Sequence, residues 1–317
     1  MRLGLTIFLT DQVISPARLA REAEARGFAS LYFPEHTHIP VAGRTPHPTE
    51  GPDFDPAYRR TLDPYIALAA CASVTERILL GTGVALAAQH DPIILAKELA
   101  TLDHLCAGRL VLGVGCGWNR DEIADHGIDP DRRRGRLREV MLAMTEIWNH
   151  DVAEFHGEHV RLPPCWSWPK PVQRPRPRTL LGGAPGPRLF AHIGEFADGW
   201  LPVGSSGLER ALPALRAAFA EAGRDPASAE AVPFGVLPTP GKLDHLASLG
   251  VREAVLRLPA GGAGEVLAAL DDYARDFAEH LAPGAHRRAP ARRRVAMARS
   301  NSQNARSERM SPPGSTR

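Results

Sequence analysis

Five of the expected helices open on a short polar side chain directly before a proline: Ser15-Pro16, Asp63-Pro64, Asp91-Pro92, Asp129-Pro130 and Thr239-Pro240. Each pair puts a side-chain acceptor at a helix N-cap and a proline where its missing N–H costs nothing. Gly27, Gly108, Gly223 and Gly250 fall where left-handed C-caps would end helices. Punctuated this way, helices are expected near 15–26, 63–75, 92–106, 130–149, 186–195, 206–222, 240–249 and 262–280. Apolar strands are expected between them at 2–8, 29–33, 77–84, 109–115, 178–182, 198–202, 232–237 and 252–257. Eight alternating units argue for an α/β fold, a (β/α)8 TIM barrel with its helices outside. An open doubly wound sheet is the alternative, but it does not favour the number eight.

Two connections are too long for plain barrel loops. Residues 34–62 follow the second strand and residues 150–177 follow the fourth helix, and loops beyond about 12–15 residues usually carry function or are disordered. The first opens at the strand's C-terminal end, the face where barrel active sites lie, and is expected to cover the site. The second starts from the opposite face, so Trp166 and Trp168 are expected on the surface and not in a pocket.

The barrel is expected to span residues 1–282. Residues 283–317 hold nine arginines and one acid, Glu308, so the formal charge of +2 conceals an acidic body. That tail has few large apolar residues and is expected to be disordered. An acidic body offers no basic face for nucleic acid. No apolar run approaches the roughly 18 residues of a membrane span. Leu3 to Leu9 is broken by Asp11 and reads as a first strand, not a signal peptide. Cys71, Cys106, Cys116 and Cys165 show neither metal spacing nor a disulfide framework, so the cytoplasm is expected.

Chemistry concentrates at the strand ends. Gly113, Gly115 and Gly117 are two apart and share one face of the fourth strand, which would leave it bare for a flat ring. A dinucleotide fingerprint does not fit, because Arg120 stands where its next glycine is required. The second strand runs into Glu35 and His36, an imidazole able to exchange a proton near neutral pH beside a carboxylate. His36-x-His38 resembles the paired ligands of metal-dependent barrel hydrolases. The later strand ends offer Gly182-Gly183, Pro202 and Leu258-Pro259 where further ligands are needed, so no metal is expected. Gly182, Gly183, Ala184 and Gly186 open the fifth helix, whose unpaired N–H groups would suit a phosphate. A ring at one cluster and a phosphate at the other outline a flavin-type cofactor.

With these motifs in order, the chain resembles the bacterial luciferase-like flavin and deazaflavin oxidoreductases. The resemblance rests on Leu3-Gly-Leu-Thr-Ile-Phe8, Arg26-Gly-Phe28, Pro34-Glu-His36, Arg77-Ile-Leu-Leu-Gly-Thr-Gly-Val84, Asp91-Pro92 with Ala96-Lys97, and Gly108-Arg109 leading into Gly113-Val-Gly-Cys-Gly-Trp118. It continues through Pro169-Lys-Pro-Val-Gln173, Gly182-Gly183 and Ala197-Asp-Gly-Trp200. It implies a barrel binding coenzyme F420, or alternatively FMN, at the C-terminal strand ends, with the Arg77–Glu122 region most like the F420-dependent branch. His36 and Glu35 would contact the deazaflavin, with His36 in proton transfer. Gly83 and Val84 would form a non-proline cis peptide behind the ring. Gly115, Gly117, Trp118 and Asn119 would adjoin the cofactor, and Gly182 and Gly183 would bind its phosphate. Trp118 stands where some sugar-phosphate dehydrogenases carry a catalytic Glu, which argues against sugar phosphates. The expectation is a homodimeric F420-dependent oxidoreductase acting on a small organic substrate. Its rivals are an FMN-dependent monooxygenase and a cofactor-binding paralogue without catalysis.

Overall fold

The computed structural model describes residues 1–48 and 55–282. In chain order it contains β1 (Arg2–Thr6), α1 (Pro16–Ala25), β2 (Ser30–Phe33), α2 (Pro64–Ala72), β3 (Leu79–Thr82), α3 (Pro92–Leu105), β4 (Leu110–Val114), α4 (Arg120–Asp125) and α5 (Arg133–Asn149). There follow β5 (Ala153–His156), β6 (Arg161–Cys165), β7 (Arg178–Gly182), α6 (Pro187–Phe196), β8 (Gly199–Leu201), α7 (Leu208–Glu221), β9 (Glu230–Ala231), β10 (Phe234–Val236), α8 (Pro240–Ser248), β11 (Glu253–Arg257) and α9 (Ala263–Asp276). Nine strands form one curled parallel sheet in the order β10-β11-β1-β2-β3-β4-β7-β8-β9. The expected strand at 232–237 is shortened to β10, with β9 lying before it, because Pro233 between them brings no N–H to the ladder. The segment keeps bonds on both sides: Val232 N–H donates to Trp200 O and Phe234 N–H to Pro202 O, while Pro233 O accepts from Val255 N–H, all at 2.8 Å.

Capping follows the sequence at Asp63, Asp91 and Thr239, whose side chains accept from helix N–H groups. Ser15 holds the N-cap of α1 without a side-chain bond. Asp129 is a correction: its carboxylate accepts from Asp131 N–H in a preceding turn, and α5 starts only at Arg133. The four expected C-cap glycines all have left-handed backbone. Two elements were not legible as periodic pattern, the six-residue α4 and the antiparallel β5–β6 hairpin within 150–177. Trp166 and Trp168 are exposed. The boundary at 282 and the basic tail beyond it lie outside the described residues.

Strand alternation divides the apolar core in two. Leu3, Leu5, Leu31, Phe33, Leu110, Leu112 and Leu181 belong to the larger cluster, which includes helix residues such as Leu95, Leu99 and Ile193. Their neighbours Tyr32, Val111, Leu180, Leu201, Val232 and Val255 form a smaller inner cluster, packed by Val84 and Phe234. At the N-terminal ends of the strands that inner core turns polar. Glu253 is 1% exposed. It accepts from Ser30 Oγ at 2.7 Å, Tyr32 OH at 2.9 Å, Arg178 at 3.0 Å and Arg2 at 3.1 Å. Gly4 makes this possible, since a Cβ there would lie 2.1 Å from the Ser30 hydroxyl.

Candidate active site

Four adjacent strands deliver the candidate residues to one end of the sheet. Glu35 and His36 follow β2, Gly83-Val84 follows β3, Gly115 to Asn119 follows β4, and Gly182 to Gly186 leaves β7. In parallel α/β sheets this C-terminal edge is where ligands bind.

Glu35 and His36 are neighbours in sequence, but their side chains diverge. Glu35 turns toward the β3–α3 connection: its carboxylate accepts from Leu86 N–H at 2.6 Å and Tyr65 OH at 3.3 Å, and meets His90 Nε2 at 2.7 Å. Burial alone would lower the His90 pKa, but the hydrogen bond and charge of Glu35 outweigh it and raise the value. Burial, reinforced by the Glu35 charge, pushes the Tyr65 phenol well above its ordinary range. Glu35 thus ties down the chain immediately after Val84.

His36 finds its carboxylate 86 residues away. Its Nδ1 lies 2.8 Å from Glu122 Oε2, and the other Glu122 oxygen accepts from Thr37 N–H at 3.0 Å. Both side chains are buried, His36 to 6% exposure and Glu122 to 1%. An ionised carboxylate only accepts, so Nδ1 carries the hydrogen and Nε2 is the nitrogen left for chemistry. Around the imidazole stand Tyr58 at 5.2 Å and Trp118 at 5.8 Å between ring centroids. His47 packs 4.8 Å from Trp118, and its Nε2 lies 2.8 Å from Tyr58 OH. These edge-on contacts suit ring quadrupoles.

The loop after β2 is stapled to α4. Asp121 accepts from Arg44 N–H, Thr45 N–H and Thr45 Oγ1 at 2.7–2.9 Å, and Asp125 meets His38 at 3.0 Å. Asn119 is buried, and its side-chain oxygen caps α4 by accepting from Asp121 and Glu122 N–H. His36 and His38 therefore take different partners. Among the described residues no group of three or more His, Cys, Asp or Glu is placed to hold a metal ion.

The glycines serve close packing more than bareness. The Gly83–Val84 peptide is cis, and Val84 drives its side chain between the two glycine clusters. A Cβ on Gly115 would lie 2.6 Å from Val84 Cγ2, and one on Gly182 2.9 Å from Val84 Cγ1. The shared face expected to be empty is thus filled at Gly115 by valine. Gly113 admits the β3 backbone, since a Cβ there would sit 2.2 Å from Thr82 O. Gly113→Ala should therefore cost about 3 kcal/mol or more, beyond ordinary overpacking because backbone must move. A thermal melt within a degree of wild type would refute this. At the second cluster Gly183, Ala184 and Pro185 are exposed, Gly186 is the N-cap of α6, and Trp200 Nε1 holds Gly183 O at 2.8 Å.

The luciferase-like monooxygenase family matches residues 13–312. The chain belongs to the luciferase-like monooxygenase family. An uncharacterized Mycobacterium tuberculosis protein is 44% identical over 281 residues, covering 88% of this chain and 99% of the relative. The monooxygenase RslO1 of Streptomyces bottropensis superposes with a TM-score of 0.71 at 22% identity, covering 88% of this chain and 99% of the other. An F420-dependent secondary alcohol dehydrogenase, solved with an F420-acetone adduct, gives 0.70 at 16% identity, covering 88% and 98%. The luciferase-like chain is an oxidoreductase, and no helix among its described residues is long and apolar enough to cross a membrane.

Sequence reasoning missed Glu122 in this luciferase-like site. The only local signal was Asn119 three residues before it, an N-cap that makes residues 120–125 helical and turns Glu122 inward.

Proposed function

We propose that this protein is an F420-dependent oxidoreductase acting on a small organic substrate, with His36 as the proton-handling group. The observation that carries the proposal is the buried His36–Glu122 pair at the same end of the sheet as Val84 and the glycine segments it packs against. A catalytic role is favoured over a binding-only paralogue because an imidazole held by a buried carboxylate is poised for proton exchange. The residues present fit a deazaflavin or flavin: an apolar floor at Val84, glycines on either side, and a helix start at Gly186 with no capping side chain. Gly115, Gly117 and Trp118 would border the ring, and Gly182, Gly183, Ala184 and Gly186 would hold its phosphate. When bound, the cofactor supplies the hydride chemistry. The chain's own residues do the rest. Glu122 fixes the His36 tautomer, His36 Nε2 gives or takes the substrate proton, and Tyr58, His47 and Trp118 keep water away from it. Glu35 positions the Val84–Leu86 backbone and does not itself meet His36.

The same reading takes the curled sheet as a closed (β/α)8 barrel, supported by the bonds of residues 232–234 to β8 on one side and β11 on the other. It also makes the enzyme a cytoplasmic homodimer. In keeping with this, all four cysteines are free, and Ile66 and Ile94 of α2 and α3 are exposed.

Titration of the purified protein with F420 and with FMN, followed by fluorescence, tests the cofactor. Binding of F420 at low micromolar concentration and not of FMN is the expected result. The reverse assigns the chain to FMN-dependent monooxygenation and overturns the proposal.

A further inference from the structure

Gln89 ends the short 3₁₀ turn Ala87–Gln89 between the cis bulge and α3. It is 9% exposed, yet neither its amide nitrogen nor its amide oxygen has a hydrogen-bonding partner among the described residues. Its backbone N–H is satisfied by Leu86 O at 2.8 Å, so the deficit belongs to the side chain. A buried amide with both halves unmade loses its hydration and gains nothing in exchange. Such groups are rare in native proteins and call for a partner that completes them.

The position of Gln89 indicates which partner. A Cβ on Gly117 would lie 3.9 Å from Gln89 Nε2, with Leu86 Cδ2 at 3.3 Å and Ile123 Cδ1 at 3.6 Å from the same point. The amide therefore sits under the glycine segment that follows β4, in apolar surroundings, next to the backbone that Glu35 anchors. A primary amide presents one donor and one acceptor side by side. A phosphate offers acceptors alone and would leave the amide oxygen unpaired. A hydrocarbon would leave both atoms unpaired. The complementary group is a –CO–NH– edge, which a cyclic imide provides. We infer that Gln89 is a ligand-binding residue whose amide pairs with the imide edge of the deazaflavin or flavin ring. The inference rests on the cofactor reading above and adds to it the residue that recognises the ring's polar edge.

Gln89→Met keeps the length of the side chain and removes both polar atoms. Three measurements on the full chain decide the matter: the melting temperature without cofactor, the Kd for F420 and FMN, and the Kd for the N3-methylated form of whichever binds. Q89M should melt no lower than wild type, because it removes an unsatisfied buried group. It should bind cofactor at least tenfold more weakly, and N3-methylation should weaken binding to wild type far more than to Q89M. Unchanged Kd in Q89M, or equal affinity of wild type for the methylated and unmethylated ring, overturns the role of Gln89 and leaves the cofactor reading standing. A melting temperature several degrees lower shows the amide to be satisfied within the protein, which also overturns it. Failure of wild type to bind either cofactor overturns both readings.

Discussion

Turnover in a His36→Ala variant should fall by roughly 10²–10⁴-fold while the cofactor stays bound, the range typical of a positioned acid–base group. The imidazole is buried, bonded through Nδ1 to Glu122, and ringed by Tyr58 and Trp118. Its removal takes away proton exchange without touching the glycine turns. One limb of the pH–rate profile should vanish with it. Glu122→Gln preserves size and permits a hydrogen bond but removes the charge, so it should give a smaller loss. Cofactor affinity measured in parallel separates a catalytic loss from a disturbed ring site. Wild-type turnover with an unaltered profile in His36→Ala would remove the residue from the mechanism.

Glu253→Ala should destabilise the fold by about 3 kcal/mol, the lower end of what breaking a buried ion pair costs. The lower end applies because Arg178 keeps Glu230 as a second partner at 2.9 Å. Burial pushes the Glu253 carboxyl up, but the Arg178 charge and the Ser30 hydroxyl bond pull it below its ordinary value. A depressed carboxyl pKa stabilises the native state above the ordinary unfolded value and loses that contribution as pH falls through the folded one. Wild type should therefore lose stability on acidification, and the alanine variant should lose less over the same interval. Denaturant melts between neutral and acid pH measure both. Parallel acid limbs in the two proteins would show that Glu253 is not ionised in the fold.

The barrel-like syntax was legible because it is local. Asp63, Asp91 and Thr239 cap their helices through their own side chains, and apolar residues alternate within five-residue strands. The candidate site was legible as a place, since strand ends can be counted. Its wiring was not. His36 and Glu122 are 86 residues apart, and neighbouring side chains on an extended strand end point apart, so Glu35 bonds the β3–α3 connection while His36 bonds α4. The glycines misled for a related reason. A residue without a side chain marks close approach, but only the three-dimensional structure shows that a valine approaches at Gly115 and a carbonyl at Gly113. Short elements escaped as well: six residues of α4 are too few for helical period to show.

The stapling of the β2 loop to α4 bears on how this scaffold diversifies. Asp121 and Asp125 hold the loop at Thr45 and His38, so the stretch between these anchors, with Val41 wholly exposed at its tip, hangs outside the bonded frame. Insertions or exchanges there alter what the protein presents at its rim without transmitting movement to His36. The frame proposed to carry the proton chemistry and the exposed stretch around Val41 are thereby mechanically uncoupled. On the proposed function, a lineage is then free to drift in substrate range while the His36 frame stays fixed, which is the property that lets one scaffold supply many different reactions.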